Sequence, residues 1–501
     1  MLLAVLLGGY GLEVSEPHTD VTTVLDVFPP SWGELALDFL TPEGIFGGTY
    51  PPLYFFIAKA YGSIAGTDLV TLRMLSVIVL AGLVAVSWYG FAILTPSPSP
   101  WLRLWFTLAV ASSPAHLWWA QTAKYTMFLY LAYAVAALAA LHFLERRSAG
   151  SAAFLAFSFF AVFLTHFVSF FFIAATALTL VFIAVRMGDR NLLRTLIRYS
   201  AVAAVVTLPF LPAVVQSLIW QRGGYHAAYD EVMSPSNLMR AAIMEWNFGS
   251  SLLPSGGGLH RLGETWRLAL EGDVIRALEP FAYISPAILA AALLAVSLAH
   301  AGARAYRDPE ARRKAFFLAA VLVLSLLLSA TKGLANRFMY LGFGTWFTYA
   351  FLTIGWGASR NRRTPMVLAS GILAMNVLSL GFYYSHLHLK YPGSRIVVDY
   401  MNQHPREAES VLVDSWIVVT RASPLVAEEL PAGMTARIVD SGAVLSEANP
   451  GVSLAFLAGT REAVEARLEE QSHPGVEWRH VESFESMETR ERSIHLYRLE
   501  R

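Results

Sequence analysis

His18, Asp20, Asp26, Glu34, Asp38 and Glu43, residues of the kinds that move protons or hold metals, lie in one polar stretch, Glu13–Pro52. The stretch, EVSEPHTDVTTVLDVFPPSWGELALDFLTPEGIFGGTYPP, separates a short apolar start from a long series of apolar runs. Acids placed at the mouth of a membrane bundle mark a site of chemistry. Asp20, in HTDVTTVLD, comes soon after the first apolar segment. Desolvation there would raise its pKa toward neutrality, so that it could take a proton from an acceptor hydroxyl. Read alone, the same residue is a solvated loop acid. His18 and Asp20 at i, i+2 could touch a metal, but two ligands without a third make a poor site, and no metal is assigned.

A second set is cationic. Arg73, Lys124, Lys332 and Arg337 fall at or near one end of apolar runs, and Lys59 lies in the middle of the short apolar run Tyr50–Gly66. Such a set would suit the phosphate of a lipid carrier. Each of them alone could instead be snorkelling to the interface. His116 (SSPAHLWW) and His166 (LTHFVSFF) lie within or between apolar runs, where a histidine commonly serves packing. Trp118, Trp119, Tyr125 and Tyr130 read first as an interfacial belt and second as flanks for a sugar.

The elements that must position these groups are membrane helices. The chain of 501 residues is 55% hydrophobic and 15% charged, with mean hydropathy +0.49; soluble domains run near a quarter charged. Lys+Arg and Asp+Glu are equal at 37 each, which argues against a nucleic-acid partner. No cysteine is present, so disulfides, thiol catalysis and thiolate metal sites are excluded. Runs long enough to span occur at roughly 70–94, 101–119, 125–144, 151–165, 167–186, 199–219, 280–300, 315–331, 338–356 and 365–385. With the short first segment they make about eleven spans. Met1–Leu12 lacks the basic start and cleavage site of a signal peptide. It is also too short to span, so a start upstream or a truncated first helix is expected.

Alternate connections hold Arg103; Arg146 and Arg147; Arg186, Arg190, Arg194 and Arg198; Arg304, Arg307, Arg312, Arg313 and Lys314; and Arg360, Arg362 and Arg363. The positive-inside rule puts all five in the cytoplasm. That phase requires 151–186 to be two spans rather than one long helix. It places 13–69, 220–279 and everything after 385 on the outer face. Tyr50–Gly66 and Trp32–Leu40 read as helices lying at that face. From residue 389 the composition is that of a soluble domain: Ser410–Asp414, Ala436–Asp440, Val452–Leu457 and Ser493–Leu499 read as strands, and Thr460–Gln471 as a helix. The expected fold is thus a polytopic α-helical membrane protein, residues 1–388, with juxtamembrane helices, followed by a small extracytoplasmic α/β domain, 389–501.

The order of these pieces resembles a known family. Asp20 in the first outer loop is followed by a surface helix, YPPLYFFIAKAYG at 50–62, TLRMLS at 71–76, SSPAHLWWAQTAKYTMFLYLA at 112–132, LTHF at 164–167 and NRFMY at 336–340. This is similar to the GT-C superfamily of polyprenyl-phosphate-sugar glycosyltransferases, the clan of protein O-mannosyltransferases and aminoarabinose transferases, and most of all its bacterial Rgt-like branch. The resemblance covers about residues 1–385 and rests on order more than on one motif. The family's Asp-Glu appears as Asp20-Val21, with Asp26 and Glu43 as nearby acids. Its His-Pro-Pro-Leu-Tyr appears as Tyr50-Pro51-Pro52-Leu53-Tyr54. Its Gln-Glu-Ala-Arg appears as Gln121-Thr122-Ala123-Lys124, keeping the cation and losing the acid.

The resemblance implies transfer of a sugar from a polyprenyl phosphate to an acceptor hydroxyl on a glycan, lipid or protein, with inversion, at the outer face of the plasma membrane. Asp20 would be the base; Lys124, Arg337 and Lys59 would hold the donor phosphate; His166, Gln121, Tyr54, Tyr125, Asp26 and Glu43 would line the substrate. No nucleotide cofactor is implied, and nothing calls for a metal. Two other readings stay open: a transporter or flippase of lipid-linked sugars, which would need internal repeats, and an inactive relative that binds the lipid carrier.

Overall fold

The computed structural model describes residues 1–12, 27–40, 52–95, 99–166, 169–210, 274–330, 343–385, 394–404, 410–414, 435–439, 452–459, 461–471, 477–484 and 494–500. In chain order the helices are α1 (Leu2–Gly9), α2 (Trp32–Leu40), α3 (Pro52–Ala65), α4 (Leu69–Leu94), α5 (Pro100–Ala111), α6 (Pro114–Ala120), α7 (Thr126–Arg146), α8 (Ala149–Thr165), α9 (Phe170–Arg186) and α10 (Arg190–Thr207). They continue with α11 (Val274–Arg307), α12 (Pro309–Ala330), α13 (Phe343–Gly357), α14 (Arg363–Ser385) and α15 (Ser394–Gln403). Strands β1 (Ser410–Asp414), β2 (Thr435–Val439) and β3 (Val452–Ala458) follow, then α16 (Arg461–Gln471), β4 (Glu477–Phe484) and β5 (Ile494–Glu500). The chain divides into two compact units: Met1–Tyr10, Val24–Gly249 and Ala287–Leu380 make one, and Gly11–Thr23, Ser250–Pro286 and Gly381–Arg501 the other.

Four helical segments among the described residues are long and apolar enough to cross a membrane: Val70–Leu94, Thr126–Arg146, Leu289–Arg307 and Arg363–Gly381. Ala149–Thr165 and Phe170–Arg186 are shorter apolar helices, and the remaining expected spans are not identified among the described residues. The 101–119 run differs from expectation because it is two helices. Pro114 has no N–H to give the preceding turn and pushes Ser113 out of the helical region (ψ 121). The 151–186 run is two helices, as the cation count requires; α8 stops at His166, whose backbone is extended. The α7–α8 corner is equally local in origin. Arg147 takes a left-handed conformation (φ 50), and Ser148 caps α8 through reciprocal bonds with Ser151.

Polar side chains tie these helices where the lipid-like interior offers no water. Trp105 Nε1 donates to the carbonyl of Ala369 at 3.0 Å, and Trp346 Nε1 to Ser87 Oγ at 3.0 Å. The Asn376 amide reaches Ser112 Oγ at 3.3 Å. Such bonds contribute about 1 kcal/mol each in apolar surroundings. Lys314, nearly fully buried, donates to the Ile93 carbonyl at 2.7 Å and pairs with Glu145 at 2.5 Å and Glu310 at 2.8 Å. Close approach also matters: a Cβ on Gly355 of α13 would overlap the Ala301 carbonyl of α11, so only glycine permits that crossing.

The second unit contains a mixed sheet of order β2-β1-β3-β5-β4, with β1 parallel to β2 and β3 and the remaining pairs antiparallel. Alternation sends Val411, Val413, Leu454, Phe456, Ile494 and Leu496 to one face, where α15 covers them with Val397, Val398 and Met401. Leu412, Ala455, Leu457 and Tyr497 face the other side, under Val464 and Leu468 of α16. At one edge of this sheet the His495 Nε2–H donates to the Gly459 carbonyl at 3.1 Å. That fixes Nδ1 as the acceptor for the Ser483 hydroxyl at 2.8 Å, while Ser483 Oγ accepts from His480 Nε2 at 2.8 Å.

Candidate functional site

The head of α7 is where the described site residues gather. The segment from Pro114 to Tyr125 turns sharply because α6 ends after two turns and its chain must reverse into α7. Three bonds fix that reversal. The Gln121 amide donates to the Tyr10 carbonyl at 2.6 Å, Thr122 Oγ1 donates to the Trp118 carbonyl at 3.2 Å, and Ser76 Oγ of α4 donates to the Thr122 carbonyl at 2.8 Å. The Lys124 N–H then bonds the same Thr122 carbonyl at 2.8 Å. Lys124 is thereby held at a set depth, with only 1% of its surface exposed.

Aromatic rings surround its ammonium. Nζ lies 5.4 Å from the centroid of Tyr125 and 5.9 Å from that of Trp119, both within cation–π range. The other face of this group is built by two more elements. His166, at the end of α8, places its ring 4.7 Å from Tyr125. Tyr54, from the first turns of α3, meets Tyr125 at 6.3 Å and Phe128 at 5.3 Å, edge to face. The Tyr54 hydroxyl is buried and has no hydrogen-bond partner among the described residues, and burial pushes its pKa above the usual tyrosine range. Tyr54, Lys124, Tyr125 and His166 are thus brought together, and Gln121 anchors the turn that carries them. A fixed cation in such a water-poor setting stabilises developing negative charge far more than it would in water.

Lys59, expected at the donor phosphate, donates its three ammonium hydrogens to backbone carbonyls: Val27 at 2.6 Å, Pro30 at 2.7 Å and Phe28 at 3.1 Å. Its charge also lies 5.5 Å over the Trp32 ring. It pins the 27–30 segment and the start of α2 onto α3. Asp20, Asp26, Glu43 and Arg337 lie outside the described residues. Among the described residues no three His, Asp or Glu side chains converge to hold a metal. Ser76 and Thr122 escaped the sequence reading as anchors. Ser76 closes the TLRMLS motif, but the partner of its hydroxyl is a backbone carbonyl that no residue type announces.

No family model matches the chain, and no curated protein matches it. Among solved structures it is similar to ArnT from Cupriavidus metallidurans bound to undecaprenyl phosphate, at 12% identity over 99% of this chain and 96% of that one, with a TM-score of 0.40. It is also similar to the Archaeoglobus fulgidus oligosaccharyltransferase in complex with Zn and sulfate, at 12% identity over 91% and 67%, TM-score 0.48. A third likeness is to arabinofuranosyltransferase AftD from Mycobacteria, at 15% identity over 99% and 39%, TM-score 0.43. At these scores the likenesses decide neither the fold nor the activity of this chain.

Proposed function

We propose that the chain is a membrane glycosyltransferase of the GT-C type that moves a sugar from a polyprenyl-phosphate donor to an acceptor hydroxyl. The observation that carries the reading is the seating of Lys124 beside Tyr125, Tyr54 and His166. That cluster heads α7, at the opposite end of the helix from Arg146 and Arg147. By the positive-inside rule the arginine end is cytoplasmic, and the site is then extracytoplasmic in the plasma membrane. The α/β domain would lie on that same outer side.

The lipid tail lies along the helices and the donor phosphate against Lys124, with Arg337 as the proposed second cation. Lys59 is not counted, since its donors are engaged. Asp20 takes the proton of the acceptor hydroxyl. The hydroxyl oxygen bonds the anomeric carbon from the face opposite the phosphate. The carbon–oxygen bond to phosphate breaks, and its electron pair leaves with the polyprenyl phosphate beside the cation. The result is inversion. Tyr54, Tyr125 and His166 flank the sugar and exclude water from the same carbon; Asp26 and Glu43 are the acids available to stand beside Asp20. Acceptors with a free hydroxyl on a glycan, lipid or protein fit this chemistry.

The test is sugar transfer from a polyprenyl-phosphate donor by the purified chain and by Asp20→Asn. Transfer by the parent and its loss in a stably folded Asp20→Asn variant is the expected result. Undiminished transfer in the variant removes Asp20 from the mechanism, and a parent inert toward every lipid-phosphate sugar tried overturns the reading.

A further inference from the structure

Strand β4 breaks its own alternation. In a regular strand, residues three apart point to opposite faces, yet the side chains of His480 and Ser483 meet on one face of the sheet. The cause is a bulge: His480 pairs with Tyr497 and Glu482 with Leu496, so over that step β4 holds one residue more than β5. The extra residue turns Ser483 toward the side of its cross-strand partner, His495. His495 is buried and Ser483 is exposed.

The hydrogen bonds around this serine run in one direction. The Gly459 carbonyl can only accept, so at 3.1 Å it fixes the hydrogen on His495 Nε2 and leaves Nδ1 with its lone pair. The Ser483 hydroxyl therefore donates to Nδ1 at 2.8 Å, while its oxygen accepts from His480 Nε2 at 2.8 Å. A hydroxyl whose proton rests on a base, with a third group holding the base by its other nitrogen, is the arrangement that activates a nucleophile. Burial above all, with the charges of His480 and Arg461, outweighs the Gly459 carbonyl and Glu462 and holds the His495 pKa below its usual value, so the ring is neutral at pH 7 and can take a proton. The Tyr497 ring steadies His480, edge to face at 5.3 Å, and the His480 N–H favours negative charge growing on Oγ.

We propose that Ser483 is a nucleophile toward activated carboxylic esters, with His495 as its general base and the Gly459 carbonyl as the group that orients that base. Oγ bonds the carbonyl carbon while its proton passes to His495 Nδ1. The ester carbon–oxygen bond then breaks, and the leaving oxygen takes the electron pair and that proton. Water repeats the sequence on the acyl-serine, which releases the acid and restores the hydroxyl. The site lies within the α/β unit and is independent of the sugar chemistry proposed above.

The experiment treats the full chain in mild detergent with a fluorophosphonate probe and locates the label by peptide mass spectrometry. In that reaction the Oγ–P bond forms, the P–F bond breaks, and the serine proton leaves with fluoride by way of His495. The native parent is expected to carry the phosphonyl group on Ser483. The same chain unfolded in sodium dodecyl sulfate should not, nor should Ser483→Ala, whose exposed position leaves the fold intact. His495→Gln should slow labelling of Ser483 by about 10²-fold or more, the scale of a lost general base. In the parent the rate should fall as pH drops below about 6.5, once His495 holds a proton of its own. An unlabelled Ser483 in the native parent, equal labelling of the unfolded chain, or a rate that His495→Gln leaves unchanged overturns the site. Should His495→Gln fail to fold, a parent rate that stays flat from pH 8 to 5 overturns it instead.

Discussion

The ammonium of Lys59 donates to the carbonyl of Val27, 32 residues upstream, at 2.6 Å. With Phe28 and Pro30 also accepting, one side chain satisfies three carbonyls and fixes α3 against the segment that precedes α2. Lys59→Met keeps the length and removes every donor. Each stranded buried acceptor costs about 1–3 kcal/mol, so thermal melting in detergent should show a loss of roughly 3 kcal/mol or more. Loss of donor affinity with melting unchanged would return Lys59 to the phosphate.

Lys124 predicts the opposite pattern. Its ammonium sits beside the rings of Tyr125 and Trp119 at the head of α7, where the proposed donor phosphate would lie, so Lys124→Gln should fall chiefly on transfer. The expected drop is about 10² in kcat/KM for a polyprenyl-phosphate donor, the scale of removing one preorganised charge-stabilising donor. A variant whose donor dependence matches the parent would leave the residue as a snorkelling cation.

Gly355→Ala tests the α11–α13 crossing. The obstacle to a Cβ is the carbonyl and Cα of Ala301 rather than a side chain that can rotate. Overpacking should cost about 1–3 kcal/mol, read as a lower inactivation temperature. Ala301→Gly should fail to rescue it, because the clash is with backbone.

The α/β unit should lose stability in acid. Burial is the main cause that depresses the pKa of His495, followed by His480 and Arg461, which repel its proton, against the Gly459 carbonyl, which favours it. His480 is depressed too, first by burial and then by Arg461. The unfolded chain therefore binds more protons than the folded one as pH falls below the ordinary histidine value of about 6.5. The stability contributed is present above that value and is lost as pH drops through the folded pKa. Hydrogen-exchange protection of β3, β4 and β5 amides, measured between pH 8 and 5, should fall with acid in the parent and be flatter in His495→Gln.

Legibility from sequence followed the physics of each feature. The break at Thr165–His166 could be read because the phase of arginines on either side permits only two helices there, and strands β1, β2, β3 and β5 were readable from apolar runs bounded by turn residues. Strand β4, EWRHVESF, was not, because an edge strand carrying Glu477, Arg479 and Glu482 on a mostly wet surface has no apolar period to see. The joining of Tyr54, Tyr125 and Lys124 followed from motif order. The bonds of Lys59 were not legible for a general reason: its partners are backbone carbonyls, which every residue possesses, so residue type cannot single them out.

The place of β5 in the sheet bears on when this unit can fold. It follows every other strand in the chain, yet it lies between β3 and β4 and supplies hydrogen bonds to both. While the ribosome has yet to reach residue 494, β4 has no neighbour and β3 has only β1. Completion of the sheet is therefore a late event, in which the β4–β5 hairpin closes quickly from nearby residues and then docks on the three parallel strands β2, β1 and β3. Until then β3 presents an open edge to other chains, and the unit is exposed to wrong strand pairing for that interval.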